Sequence, residues 1–218
     1  MKVCHVVGAG EFFSEKFNPV ENEYIIAADG GFDYCTMLGI NPDMVLGDFD
    51  SIHSIPIHKN ILKYPVKKDD TDMMIAVKKA LEMGYDCIFM HACLGGRLDH
   101  SFANIQTLQF IADNKAVGYM LGKNEVITVI KDAKIIYDNS LEGNLSVFAV
   151  SDVAKGVCIT GAEYELDSYE LSSTYPIGVS NKFIGKKTEI SVDEGMLMII
   201  WSDYKCKYPN VDFRIKNY

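Results

Sequence analysis

Three turns carry most of the candidate chemistry in this chain: Gly47-Asp48-Phe49-Asp50-Ser51, Lys68-Asp69-Asp70-Thr71-Asp72 and Gly95-Gly96-Arg97-Leu98-Asp99-His100. Asp48 and Asp50, two residues apart, point the same way from an extended segment and can reach one cation. A solvated acidic turn has the same spelling, so that pair alone decides nothing. The second turn sets Lys67 and Lys68 beside its aspartates, joining metal-binding oxygens to phosphate-binding ammoniums. The third joins Arg97, a bidentate phosphate ligand, to Asp99 and to glycines whose N–H groups are open to an anion. Clustered carboxylates repel one another unless a cation sits among them. Taken together, the three turns point to a Mg²⁺ site that handles phosphates. Asp29-Gly30-Gly31 is a fourth candidate, because two glycines at the end of a buried strand let a ligand approach the backbone.

Such turns need a frame that brings them together. Each follows an apolar, strand-like run, at 44–46, 61–66 and 87–90. Further strand-like runs, at 3–7 and 24–28, end in Gly8-Ala9-Gly10 and in Asp29-Gly30-Gly31, and a helical pattern follows at 32–38. Met73, Ala76, Val77, Ala80 and Leu81 recur at helical spacing, which predicts a helix over 72–83 capped by Thr71 or Asp72 and stopped at Gly84. Phe102, Ile105, Leu108 and Ile111 space another helix behind the Arg97 turn. This alternation predicts an α/β domain over residues 1–124 with a mostly parallel, Rossmann-like sheet, its acidic turns gathered at one sheet edge. Beyond about residue 122 the texture changes to short β-type runs at 126–130, 134–137, 145–149, 157–160, 188–192 and 196–201. Residues 125–218 are therefore expected to form an all-β sandwich.

Composition excludes several classes. A net charge of −9 leaves no basic stripe for nucleic acid, and no apolar run approaches the roughly 20 residues of a membrane span. The six cysteines form no C-x-x-C pair, and the N-terminus has no signal-peptide layout. Both features read as a cytoplasmic protein with reduced thiols. Two motifs are set aside. Gly8-Ala9-Gly10 begins a dinucleotide fingerprint that Phe13 breaks, which leaves a plain strand-to-helix turn, and Gly185-Lys186-Lys187-Thr188 lacks the earlier glycine of a P-loop. His5 and His91 lie in apolar strands and read as core histidines. His53 and His58 have no metal-ligand spacing, and Trp201 reads as core.

Ala28-Asp29-Gly30-Gly31, Gly47-Asp48-Phe49-Asp50-Ser51, Asp69-Asp70-Thr71-Asp72 and Gly95-Gly96-Arg97-Leu98-Asp99-His100, in this order, resemble the thiamine pyrophosphokinase family of bacterial type. The likeness spans residues 29–108 and resumes at Gly178-Val179-Ser180-Asn181. It implies transfer of the pyrophosphoryl group of ATP to the hydroxyl of thiamine, giving AMP and thiamine diphosphate. It also implies Mg²⁺ as cofactor and a homodimer with thiamine bound at the subunit interface. Carried over by position, Asp48, Asp50 and Asp72 are the Mg²⁺ carboxylates. Asp29, Gly30, Gly31, Lys68, Thr71, Arg97 and His100 are nucleotide and phosphate contacts, and Asp99 orients or deprotonates the thiamine hydroxyl. Ser180 and Asn181 hold the pyrimidine end of thiamine. Some members have Gln in place of Lys68 and of His100, and Ser-Thr-Ser-Asn in place of Gly178-Val179-Ser180-Asn181. A Mg²⁺-dependent phosphohydrolase and a non-catalytic thiamine- or nucleotide-binding regulator are the alternatives.

Overall fold

A computed structural model describes residues 1–49, 57–202 and, as backbone, 211–215. Asp50, Ser51, His53 and Cys206, all considered above, lie outside the described residues. The chain divides into two compact units, Met1–Lys123 and Asn124–Tyr218.

The first unit runs β1 (Val3–Val7), β2 (Tyr24–Ala28), α1 (Gly31–Met37), β3 (Met44–Gly47), β4 (Ile61–Lys63), α2 (Asp72–Glu82), β5 (Cys87–His91), α3 (Leu98–Asp113) and β6 (Val117–Leu121). Its strands pair in the order β6-β5-β1-β2-β3-β4, every pair parallel. Strands covered on both faces must be apolar along their whole length, and β3, β5 and β6 are buried at every position. The order turns back at β1, which lies between β2 and β5. The carboxyl ends of β1 and β5 therefore flank a topological switch point, where open α/β sheets leave a crevice.

The two longer helices are set by their sequence, with one exception. The Thr71 hydroxyl accepts the Met74 N–H at 3.1 Å and caps α2, whose buried side is Met73, Ile75, Ala76, Val77 and Ala80. Gly84, at φ +79°, ends it. In α3 the inward face is Asn104, Thr107, Leu108, Ile111 and Ala112. Phe102, placed on the apolar stripe by spacing, is 60% exposed. Each step of three residues falls about 60° short of a full turn, so Phe102 ends half a turn away from Ile111, and Asn104, in line with Leu108 and Ile111, takes the inward position.

In the second unit β7 (Glu125–Lys131), β8 (Ala133–Tyr137), β9 (Glu142–Ala149), β10 (Val153–Thr160), β11 (Leu166–Ser172), β12 (Asn181–Ile184), β13 (Thr188–Ser191), β14 (Met196–Ser202) and β15 (Val211–Ile215) form two antiparallel arrays. Their orders are β12-β9-β14-β7 and β11-β10-β13-β8-β15. Burial alternates along β9 and β14, as one-sided strands require. Tyr137 on β8 meets Phe183 of β12 at 5.2 Å and Trp201 of β14 at 5.3 Å, so Trp201 is core. Strands β11, β12 and β15 were not expected from the sequence. β11 buries little beyond Leu171, and β12 has only four residues, so neither shows a hydrophobic period. Among the described residues no helix is long and apolar enough to cross a membrane.

Candidate active site

At the carboxyl ends of the parallel strands the first unit has a cavity of about 640 Å³, within the range of small-molecule sites. Asp29 after β2, Asp48 after β3, Lys68 and Asp70 after β4, and Thr71 and Asp72 at the start of α2 line it. Gly95, Gly96 and Arg97 between β5 and α3, and His100 and Asn104 within α3, complete much of the wall. The turns after β3, β4 and β5 reach one cavity because all three leave the same edge of the parallel sheet, although β1 and β2 stand between β5 and β3.

The electrostatic centre is Lys68. Its Nζ lies 2.6 Å from Asp48 Oδ2 and 3.1 Å from Asp72 Oδ1, with all three side chains largely screened from solvent. Burial alone would pull the Lys68 ammonium down, but hydrogen bonds and charge from Asp48 and Asp72 hold its pKa above the ordinary value. Burial pushes the Asp72 carboxyl up. Lys68 opposes that shift, while the negative charges of Asp48 and Asp29 add to it. Asp29, Asp48, Asp70 and Asp72 line the cavity beside Lys68 and Arg97, and such a group of carboxylates suits a further cation. Among the described residues no three acidic, histidine or cysteine side chains are arranged as a metal-ligand group. Asp48 and Asp72 are the predicted pair within reach of one another's partner, and Asp50 falls outside the described residues.

Arg97 Nε and Nη2 donate to Asp99 Oδ1 and Oδ2 at 3.1 and 2.6 Å, and the His100 N–H donates to Asp99 Oδ1 at 2.9 Å. Both side chains are mostly exposed, and Arg97 but not Asp99 lines the cavity. The hydrogen bonds from Arg97 hold the Asp99 carboxyl below its usual range. Asp70 is engaged with Lys78 at 2.6 Å.

Two expectations change. Gly30 and Gly31 are absent from the cavity wall. A Cβ at Gly31 would stand 1.9 Å from the Val7 carbonyl oxygen, so this glycine admits the chain's own backbone and seats α1 against β1. Gly8-Ala9-Gly10, read as a plain turn, lines the cavity. The Gly8, Gly10 and Glu11 N–H groups donate to the carbonyls of His91, Ala92 and Leu94 at 2.9, 2.7 and 2.9 Å, which locks the β1 turn to the β5 turn. A Cβ at Gly10 would meet the Leu94 and Ala92 carbonyls within 2.7 Å. Position was the available signal: this is the first turn of an α/β sheet, at the edge where ligands bind. Asn104, also on the wall, carried no motif to mark it.

Ser180 and Asn181 belong to the second unit. Ser180 is exposed at φ +63°, and its N–H donates to Ser146 Oγ at 3.2 Å. Asn181 is buried, its Oδ1 accepting the Tyr164 and Lys182 N–H groups and its Nδ2 donating to the Tyr164 carbonyl.

The family model for the thiamin pyrophosphokinase catalytic domain matches residues 20–119, and that for the thiamin pyrophosphokinase vitamin B1 binding domain matches residues 128–197. The chain belongs to the thiamine pyrophosphokinase family. It is 28% identical to the thiamine pyrophosphokinase of Bacillus subtilis over 192 residues, covering 84% of this chain and 88% of that one. The crystal structure of thiamine pyrophosphokinase from the same organism superposes with a TM-score of 0.84 at 24% identity, over 93% of this chain and all of the other. That of thiamin pyrophosphokinase from Geobacillus thermodenitrificans gives 0.80 at 29% identity, over 94% of this chain and all of the other. The chain is thus an enzyme that uses ATP to pyrophosphorylate thiamine, built from an α/β part and a β part.

Proposed function

We propose that the cavity of the first unit is where the reaction occurs, with ATP bound along the carboxyl edge of the sheet. The observation that carries this reading is the Lys68 ammonium between Asp48 and Asp72, in a wall that also carries Asp29, Asp70 and Arg97. Asp48, Asp50 and Asp72 hold Mg²⁺, and Asp29 adds negative charge nearby. When bound, Mg²⁺ neutralises and orients phosphate oxygens. Lys68 and Arg97 counter charge on the phosphates, Arg97 through the flat fork it now presents to Asp99. Thr71 fixes the start of α2, and His100 bounds the nucleotide.

The thiamine hydroxyl oxygen bonds to the β-phosphorus of ATP as the bond from that phosphorus to the α-phosphate's bridging oxygen breaks; AMP leaves with that oxygen, and the hydroxyl proton passes to solvent. Asp99, whose carboxyl lies below its usual range, is a weak base, which favours its orienting role over proton abstraction. Phosphoryl transfer of this kind needs positioning and charge neutralisation more than a strong base.

Residues 1–124 are then the ATP and Mg²⁺ domain, with a Rossmann-like sheet. Residues 125–218 are a sandwich that binds thiamine and pairs two subunits, so that thiamine lies at the interface of a homodimer. Ser180 offers its hydroxyl from a turn that Ser146 steadies, while Asn181 anchors that turn through Tyr164. Free, buried Cys4, Cys35, Cys87 and Cys93 support a reducing, cytoplasmic setting. Product analysis with ATP, Mg²⁺ and thiamine tests the chemistry. AMP with thiamine diphosphate supports this reading. ADP with thiamine monophosphate, or inorganic phosphate alone, overturns it.

A further inference from the structure

Asn104 stands out among the wall residues. It is 8% exposed, on the face of α3 that also carries Leu108 and Ile111. An amide in such a place costs free energy unless it is hydrogen-bonded. Its Nδ2 donates to the Cys93 carbonyl at 2.7 Å, and because a carbonyl can only accept, the orientation of the amide is fixed by chemistry. Cys93 opens the turn that carries Gly95, Gly96 and Arg97 to the cavity.

That turn is hard to hold. Ala92 sits at φ +48°, a conformation that a residue with a side chain keeps only when the surroundings impose it, and Gly95 and Gly96, at +79° and +62°, leave the backbone beyond it more freedom to lose. The structure supplies the restraint one carbonyl at a time. His91, Ala92 and Leu94 are bound by backbone N–H groups of the β1 turn, and Cys93 by Asn104. Of these four tethers, the one at Cys93 is made by a side chain. It also comes from α3, whose N-cap is Arg97 itself. The helix thereby ties down the loop that leads into it.

We propose that Asn104 is a positioning residue for pyrophosphoryl transfer, setting the place of Arg97 through the Cys93 carbonyl. The inference rests on the assignment of Arg97 to the phosphates made above. Asn104→Leu keeps the branched shape of the side chain and its number of heavy atoms, and removes the donor. With the turn free to shift, kcat falls about tenfold to a hundredfold, as misplacement by about an ångström does. The KM for thiamine stays within about twofold.

The test is a cycle of wild type, Arg97→Ala, Asn104→Leu and the double variant, assayed well below each melting temperature. If Asn104 acts through Arg97, the double variant is no slower than Arg97→Ala alone. Multiplied losses, or full kcat in Asn104→Leu beside a disabled Arg97→Ala, overturn the proposal and leave the site intact. Full activity in Arg97→Ala overturns the site assignment itself. Should Asn104→Leu not fold, Asn104→Asp replaces it. Its carboxyl, raised by burial, donates to Cys93 only when protonated, so its activity relative to wild type rises as pH falls. A flat ratio overturns the proposal.

Discussion

Beneath the cavity two histidines share a sealed space, and lowering the pH tests what they do there. His5 and His91 are 0% and 2% exposed, with His5 Nδ1 and His91 Nε2 3.0 Å apart. His5 Nε2 lies 2.9 Å from Glu23 Oε2, which also accepts the Val20 N–H at 2.8 Å. A carboxylate only accepts, so His5 carries its proton on Nε2 and His91 Nε2–H donates to the bare Nδ1. Phe89 stacks on His5 at 5.3 Å, and Phe17 closes on His91 at 4.8 Å. Burial lowers the pKa of His91 far below its ordinary value, and the charge of His5 lowers it further. Burial lowers that of His5 too, against the pull of Glu23.

Both histidines therefore titrate lower in the folded chain than in the unfolded one, which binds more protons as the pH falls. The stability they contribute is whole above the unfolded value of about 6.5 and drains away below it. Between about pH 7.5 and pH 5, protonating one free histidine favours the unfolded chain by about 2 kcal/mol, and two by about 4 kcal/mol, if the native pair takes up none. His91→Gln keeps a donor near the Nε2 position and cannot titrate. Urea unfolding of both proteins across that range should give stability curves that converge toward acid by about 2 kcal/mol. Curves that stay parallel would refute the argument, because His91 would then titrate alike folded and unfolded.

Asp72→Asn keeps the shape of the side chain and loses its charge, so kcat at saturating Mg²⁺ should fall by more than about a hundredfold with the melting temperature little changed; near-normal turnover would remove Asp72 from the site. Gly31→Ala puts a methyl 1.9 Å from the Val7 carbonyl and should cost about 1–3 kcal/mol in chemical unfolding, where a loss under about 0.5 kcal/mol would mean that α1 simply moves away. Ser180→Ala should weaken the thiamine kcat/KM by about 1–3 kcal/mol while thiamine-free ATP binding is unchanged. Equal loss toward both ligands, or toward neither, would detach Ser180 from thiamine.

What the sequence determined by itself was local. Helix α2 with its Thr71 cap, the apolar parallel strands, the core placement of His5, His91 and Trp201, and the acidic turns all rest on periodicity, capping chemistry and side-chain type within a few residues. The motifs, read jointly, also carried the family. Tertiary structure decided which residues share a space. Sequence spacing put a ligand approach at Gly30-Gly31 and a plain turn at Gly8-Ala9-Gly10. Packing adds what spacing lacks, because the Val7 carbonyl stands in the room beside Gly31 and the order β5-β1-β2 puts the β1 turn on the cavity wall. Asn104 was invisible for the same reason, since its partner Cys93 is eleven residues away and no period links an amide to a carbonyl. The joint hold of Lys68 on Asp48 and Asp72 required β3, β4 and α2 to converge. Periodicity records what each segment buries, whereas a site is made by distances between segments, and those exist only once the sheet order is set.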